Sequence, residues 1–102
     1  MRYDEEVFFQ RIIKGEYDES TGDYEEDKIT EEKSYACVTD TGTETMNIVY
    51  GSIKQGSLTI QLQTHYKKPF NLIRIGRRKY RVDFSRELRT KHIFVVSEVQ
   101  NG

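Results

Sequence analysis

The alternation of apolar and polar residues predicts that this chain is built mainly from β-strands. In residues 57–64, Leu and Ile alternate with Thr and Gln, which is the period of a strand with one buried and one solvated face. Residues 7–14 and 92–99 carry apolar side chains on both faces, as in a covered strand; residues 7–14 could instead be an exposed strand donated to a partner. Residues 33–39 form a further predicted strand, in which Cys37 has a structural, interior role.

The most strongly patterned stretch is a hairpin over residues 69–84. Because the doubled arginine at 77–78 lacks the Asn-Gly or Asp-Gly of a two-residue turn, the sequence favours a four-residue loop over residues 76–79. That loop would set Ile75 opposite Tyr80 and Ile73 opposite Val82. The apolar face of this hairpin is predicted to comprise Ile73, Ile75, Tyr80, Val82 and Phe84.

A short helix of about two turns is predicted after the strand at residues 33–39. Thr41 and Glu44 fit a capping box, and Gly51 supplies a left-handed stop. The apolar stripe of this helix is interpreted as a lid over an open end of a barrel or as a contact for a partner. The stripe consists of Met46, Val49 and Tyr50.

Residues 15–32 form a long acidic segment, with Ile29 as its single aliphatic residue. Such a segment cannot bury enough apolar surface to order itself strongly, so it is predicted to be the tip of a long hairpin or a flexible loop. It does not satisfy the twelve-residue register of a calcium-binding loop.

The bulk composition fits one small domain over residues 1–102. Five or six strands and one short helix describe an antiparallel barrel or sandwich. The single cysteine and two histidines exclude an intramolecular disulfide and a four-ligand Cys/His zinc site. Neither a signal peptide nor a membrane span of about 20 apolar residues is expected.

Charge is divided along the chain. Residues 1–50 hold fourteen acidic and five basic residues, whereas residues 51–102 hold three acidic and eleven basic ones. The two halves could neutralise each other within one fold, or the acidic face of one molecule could meet the basic face of the next. The basic half could also bind nucleic acid.

Catalytic signatures are missing from the sequence. The glycines around Lys54 stand in the wrong order for a phosphate-binding loop, and no nucleophile elbow or helical metal-binding pair is found. His65 is expected to be a surface residue. We therefore expect neither an enzyme nor a bound cofactor.

Several segments together resemble the head-completion proteins of long-tailed double-stranded DNA phages or prophages, which are also called head-closure, stopper or head-tail joining proteins. The resemblance covers nearly the whole chain and rests on the apolar, Gly and Tyr positions of residues 3–7, 15–24, 46–54, 73–82 and 94–99.

This resemblance implies a compact antiparallel β-barrel with a flexible acidic loop at residues 15–32 and a short helix at residues 43–50. It implies a ring that closes the DNA exit channel beneath the portal and provides the docking surface for the tail. The partners would be other copies of the chain, a portal or adaptor protein and a tail-completion protein, with packaged DNA beside the ring and no membrane. The protein would occur in the virion and, during assembly, in the host cytoplasm.

Carried onto this chain, the resemblance gives the divided charge a role in contacts between ring subunits. The acidic loop could alternatively line the channel and repel DNA phosphates. The basic side of the contact comprises Arg77, Arg78, Lys79, Arg86 and Arg89, and the acidic side comprises Asp18, Glu19, Asp23, Glu25 and Glu26.

The alternative function is that of a small OB or SH3-like barrel that binds nucleic acid through its basic C-terminal half. Its binding surface would comprise Arg74, Arg77, Arg78, Arg81 and Tyr80.

Overall fold

A computed structural model describes residues 2–52 and 55–99 as eight β-strands and one α-helix. The elements are β1 Glu5–Ile13, β2 Tyr17–Asp18, β3 Asp23–Tyr24, β4 Lys28–Asp40, α1 Thr43–Tyr50, β5 Ser57–Leu62, β6 Leu72–Ile75, β7 Arg78–Glu87 and β8 His92–Glu98.

Six of the strands close into a barrel in the order β1-β4-β5-β8-β7-β6, and the pairing of β1 with β6 completes the circle. All neighbouring strands are antiparallel. The two remaining strands, β2 and β3, form a separate two-stranded ladder. The predicted antiparallel β-barrel with one short helix is therefore confirmed.

The barrel is filled by the inward-facing side chains of all six strands. The ring of Phe9 lies against three other aromatic rings, and its closest neighbour is Tyr66, with centroids 3.8 Å apart and nearly parallel planes. Tyr66 and Phe70 belong to the segment between β5 and β6, so this segment covers one end of the core. The buried cluster comprises Val7, Phe9, Ala36, Ile60, Leu62, Ile73, Tyr80, Phe94 and Val96.

The antiparallel pairing defines two ends of the barrel. At one, which we call the helix end, β4 leads into α1, and the turn between β6 and β7 lies beside the end of β8. At the other, which we call the hairpin end, β1 and β4 continue beyond their barrel neighbours as a projecting hairpin. The principal dimensions of 54 × 29 × 23 Å reflect this projection.

Two strands are longer than predicted. β4 begins at Lys28, so residues 28–32 of the predicted acidic loop are in a strand, and β7 continues to Glu87 through a stretch predicted to be a polar connection. Both stretches are almost entirely exposed. The ladder hydrogen bonds of the backbone hold them in place without an apolar pattern, which is why sequence periodicity missed them.

A β-bulge in β7 changes the face on which Phe84 lies. Val82 pairs with Val96, but Phe84 pairs with Val95, so one extra residue, Asp83, interrupts the alternation. Phe84 is 44% exposed rather than buried as predicted.

Candidate interaction surfaces

The acidic segment forms a hairpin. The β1–β4 ladder reaches the pair Ile13–Lys28, and beyond it Tyr17 pairs with Tyr24, their rings 5.1 Å apart. Of the two structures proposed for this segment, the geometry matches the tip of a long hairpin. Glycine is required at position 15, because a Cβ there would clash with the Glu25 carbonyl oxygen.

Carboxylates of the predicted acidic side lie on this hairpin. Asp18 accepts hydrogen bonds from the hydroxyl and the backbone N–H of Ser20, which lower the pKa of that carboxyl. Among the described residues, no ion pair joins any acidic-side residue to a base. The five predicted acidic-side residues are Asp18, Glu19, Asp23, Glu25 and Glu26, of which all but Asp18 are exposed.

The turn at the basic hairpin is shorter than predicted. Ile75 pairs with Arg78 and Ile73 with Tyr80, which leaves only Gly76 and Arg77 in the turn. Gly76 has φ of +59°, as the first residue of a type II′ turn requires. The four-residue loop was wrong because Gly at the first turn position supports a two-residue turn without Asn-Gly or Asp-Gly. The observed pairing differs from the predicted one by two residues. Because side chains along a strand alternate with a period of two, the same side chains face the core in both pairings.

The predicted basic side is divided between the two ends of the barrel. Arg77, Arg78 and Lys79 lie at the helix end, where Arg78 is 3.9 Å from Glu98. Arg86 and Arg89 lie near the far end of β7 and in the loop that follows, at the hairpin end. Eight residues of strand separate Arg78 from Arg86, or about 26 Å. These residues do not form one surface.

Part of the charge difference between the two halves of the chain is neutralised within the fold. Arg74 donates two hydrogen bonds to the Glu31 carboxylate, at 2.7 and 3.2 Å, and lies 4.1 Å from the ring centroid of Phe8. The buried Gln10 amide also donates to Glu31, and these contacts, with Arg74 first, lower the pKa of Glu31.

A second pair at the hairpin end joins Lys68 to Glu32, with the ammonium 2.9 Å from each carboxylate oxygen. The hydrogen bond from Lys68 lowers the pKa of Glu32. The base of the hairpin is thus tied to the barrel by salt bridges, whereas its tip is not.

The predicted helix over residues 43–50 is confirmed as α1, but its cap differs from the prediction. Its N-cap is Gly42, without a side-chain capping bond. Thr41 is buried and shares hydrogen bonds with Thr59 and Ser57, because it directly extends β4 along β5. The capping box was therefore wrong, whereas the left-handed Gly51 at the C-terminus is confirmed by its φ of +72°.

The predicted helical stripe faces the barrel. The Tyr50 hydroxyl donates to Asp83 at 2.6 Å, and Met46 lines an open cleft of about 320 Å³ together with Leu58 and Tyr80. Met46, Val49 and Tyr50 are all half-buried, while Ile48, which the stripe omitted, is 78% exposed. Ile48 is the apolar helix residue available to a partner.

A histidine-centred group at the hairpin end was not found from the sequence, since its members are far apart in the chain. Nδ1 of the buried His92 accepts the Tyr66 N–H at 3.0 Å, so the neutral ring carries its proton on Nε2, which lies 2.9 Å from Ser85 Oγ. A protonated Nε2 cannot accept the hydroxyl proton, so this pair is not arranged to activate Ser85 as a nucleophile.

His92 holds the covering segment over the core. Burial lowers the pKa of its imidazole. Protonation of Nδ1 would remove the acceptor of the Tyr66 N–H, so the neutral ring is the form compatible with this contact.

The described part of the chain contains no group of three or more His, Cys, Asp or Glu side chains placed to hold a metal ion. Within residues 2–52 and 55–99, no helix is both long enough and apolar enough to cross a bilayer. Comparison with known proteins gave no match to a family model, to a curated protein sequence or to a solved structure.

Proposed function

We propose that this chain is a structural subunit of a phage head-tail connector, which forms a ring between portal and tail, closes the DNA exit channel and provides the tail-docking surface. The supporting observation is the placement of opposite charges at opposite ends. The acidic hairpin tip extends from one end of the barrel, and the turn bearing Arg77 lies at the other.

This placement favours a head-to-tail contact between copies. A hairpin that folded back onto Arg77 and Arg78 would satisfy its charges within one molecule, whereas within the described part of the chain the tip forms no ion pair with either arginine. A head-to-tail contact closes into a ring when its rotation permits. The proposed contact joins the tip of one copy to Arg77, Arg78 and Lys79 of the next.

Arg86 and Arg89 are not part of this contact, because they lie at the same end as the acidic hairpin. They serve as a matched control. The hairpin could also face the channel, where its carboxylates would keep DNA phosphates from adhering.

The nucleic-acid-binding alternative is less well supported by the surface chemistry. Arg74 and Arg81, which belong to this alternative surface and not to the ring contact, have carboxylate partners within the molecule. Tyr80, the proposed stacking residue, is only 5% exposed, whereas bases stack on accessible rings.

A charge-swap experiment tests the connector proposal. One variant carries Arg77→Glu, Arg78→Glu and Lys79→Glu, and the other carries Glu19→Lys, Asp23→Lys, Glu25→Lys and Glu26→Lys. Each alone would place like charges at the contact, while a mixture in which the two variants alternate would restore opposite charges at every contact. We expect neither variant alone to form rings in electron micrographs and native mass spectra, and the mixture to assemble with the two variants in equal numbers.

The matched control, Arg86→Glu with Arg89→Glu, should assemble as the unmodified chain does. Rings formed equally well by both single variants would show that these charges do not make the contact. An oligonucleotide titration separates the alternative function, because strongly salt-dependent binding at physiological ionic strength would favour the nucleic-acid module.

A further inference from the structure

One edge of β4 has no partner strand where the hairpin projects from the barrel. β1 pairs with β4 from Lys28 to Ala36, but β5 pairs with its other edge only from Ala36 onward. Outside the strand ladders, no backbone hydrogen bond of the described chain reaches residues 28–35. These eight residues present about 26 Å of backbone donors and acceptors on that edge.

The segment after β5, all of which the structure describes, makes no backbone hydrogen bond with this edge, although its Tyr66 hydroxyl and Lys68 ammonium bind the Glu32 carboxylate. Tyr66 is held at the barrel end by stacking on Phe9 and by its N–H bond to His92. Pairing between β5 and β4 accordingly ends at Leu62. The edge therefore remains open to another chain.

We propose that this edge pairs with the same edge of a second copy, giving an antiparallel, two-fold dimer centred on Glu32. In a two-fold contact, if one residue of the first copy lies opposite a given residue of the second, the same pair recurs with the copies exchanged. With Glu32 on the axis, Glu31 lies opposite Lys33 of the second copy, and Ile29 lies opposite Tyr35.

The side chains of this edge are complementary in that register. Ile29 and Tyr35 are 54% and 51% exposed. In the dimer, Ile29 of each copy would pack against Tyr35 of the other, so both side chains would be covered. The Glu31–Lys33 pairs bring opposite charges together twice, once on each side of the axis. Centring the contact on Glu31 would instead place two Glu31 side chains opposite each other and Ile29 opposite Lys33.

The charges needed for the contact have partners within the chain but keep capacity for a second one. The Lys33 ammonium lies 3.9 Å from Glu6 and has three donors. Glu31 Oε1 accepts one hydrogen bond, from Arg74, so it retains a lone pair for Lys33 of the second copy. The two Glu32 carboxylates that meet at the axis each have their own Lys68 at 2.9 Å, which offsets their repulsion.

Cysteine cross-linking tests the register. In a Cys37→Ser background, Glu32→Cys should form a disulfide-linked dimer under mild oxidation, because directly opposed strand residues lie about 4.5–5.5 Å apart. Thr30→Cys is the matched control, since its counterpart would lie about 13 Å along the strand. Equal cross-linking of both variants, or none of Glu32→Cys, would overturn the register.

Sedimentation equilibrium tests the contact without a cross-link. A chain carrying Arg77→Glu, Arg78→Glu and Lys79→Glu lacks the proposed ring contact and should show a concentration-dependent dimer. Adding Lys33→Glu should weaken this dimer about tenfold by opposing two glutamates twice. Adding Lys33→Arg instead should retain the dimer, with circular dichroism confirming that each variant is folded. If the chain without the ring contact stays monomeric at every concentration, the proposal is refuted.

Discussion

Replacing Phe9 by alanine tests whether the closed barrel depends on the ring at its centre. Phe9 is 2% exposed and lies against Tyr66, Phe70 and Phe94. Removing a phenyl ring from such a site costs about 3–5 kcal/mol, from lost transfer free energy and the cavity that remains. For a domain of this size that corresponds to a fall in Tm of about 12–40 °C.

The neighbouring phenylalanine provides the control. Phe8 is the same residue type one position away, but it faces outward and is only half-buried, against Arg74. Phe8→Ala should cost about 1 kcal/mol, since only part of its apolar surface is covered. Urea unfolding of both variants measures the difference. Equal losses of stability would refute the assignment of faces in β1 and with it the barrel register.

Two further perturbations follow from the contacts described. Burial holds the pKa of His92 below its ordinary value of about 6.5. Between these two pKa values the unfolded chain binds a proton at His92 that the folded chain does not. The free energy of unfolding is therefore fully present above pH 6.5 and should fall by up to about 1.4 kcal/mol per pH unit as the pH drops toward the folded pKa. His92→Asn should remove this pH dependence, and urea unfolding between pH 5 and 7.5 checks it, with an unchanged slope counting against the role of His92. Gly76→Ala should destabilise the protein by about 1 kcal/mol because its φ is +59°. Gly42→Ala, with φ of −67° and open space around it, meets no such strain and should lower the Tm less in thermal unfolding, since only the poorer N-cap preference of alanine remains.

The sequence predicted the fold class well because the core strands carry strong patterns. The alternation around Ile60 and the doubly apolar stretch around Phe94 both correspond to barrel strands. Where a strand is held by backbone pairing and polar side-chain contacts, as at residues 28–32 and 85–87, it has no apolar alternation from which to predict it. Phe84 was misplaced because a bulge reverses the alternation and has no sequence signature here.

The candidate surfaces were only partly predictable. The position of the acidic tip followed from composition, but the division of the basic residues between two ends depends on the direction of β7. The Arg74–Glu31 pair joins residues 43 positions apart, and the contact of His92 with Tyr66 joins residues 26 positions apart. Contacts of this kind depend on strand order, which local patterns do not specify.

The unbroken β1–β4 ladder has a mechanical consequence. Its pairs run in constant register from Glu5–Ala36 to Ile13–Lys28, and β1 is also the strand that closes the barrel against β6. A force applied at the acidic tip is therefore transmitted through β1 to its pairing with β6 beside Phe9. A partner bound at the tip would thus also load the strand pair that closes the barrel.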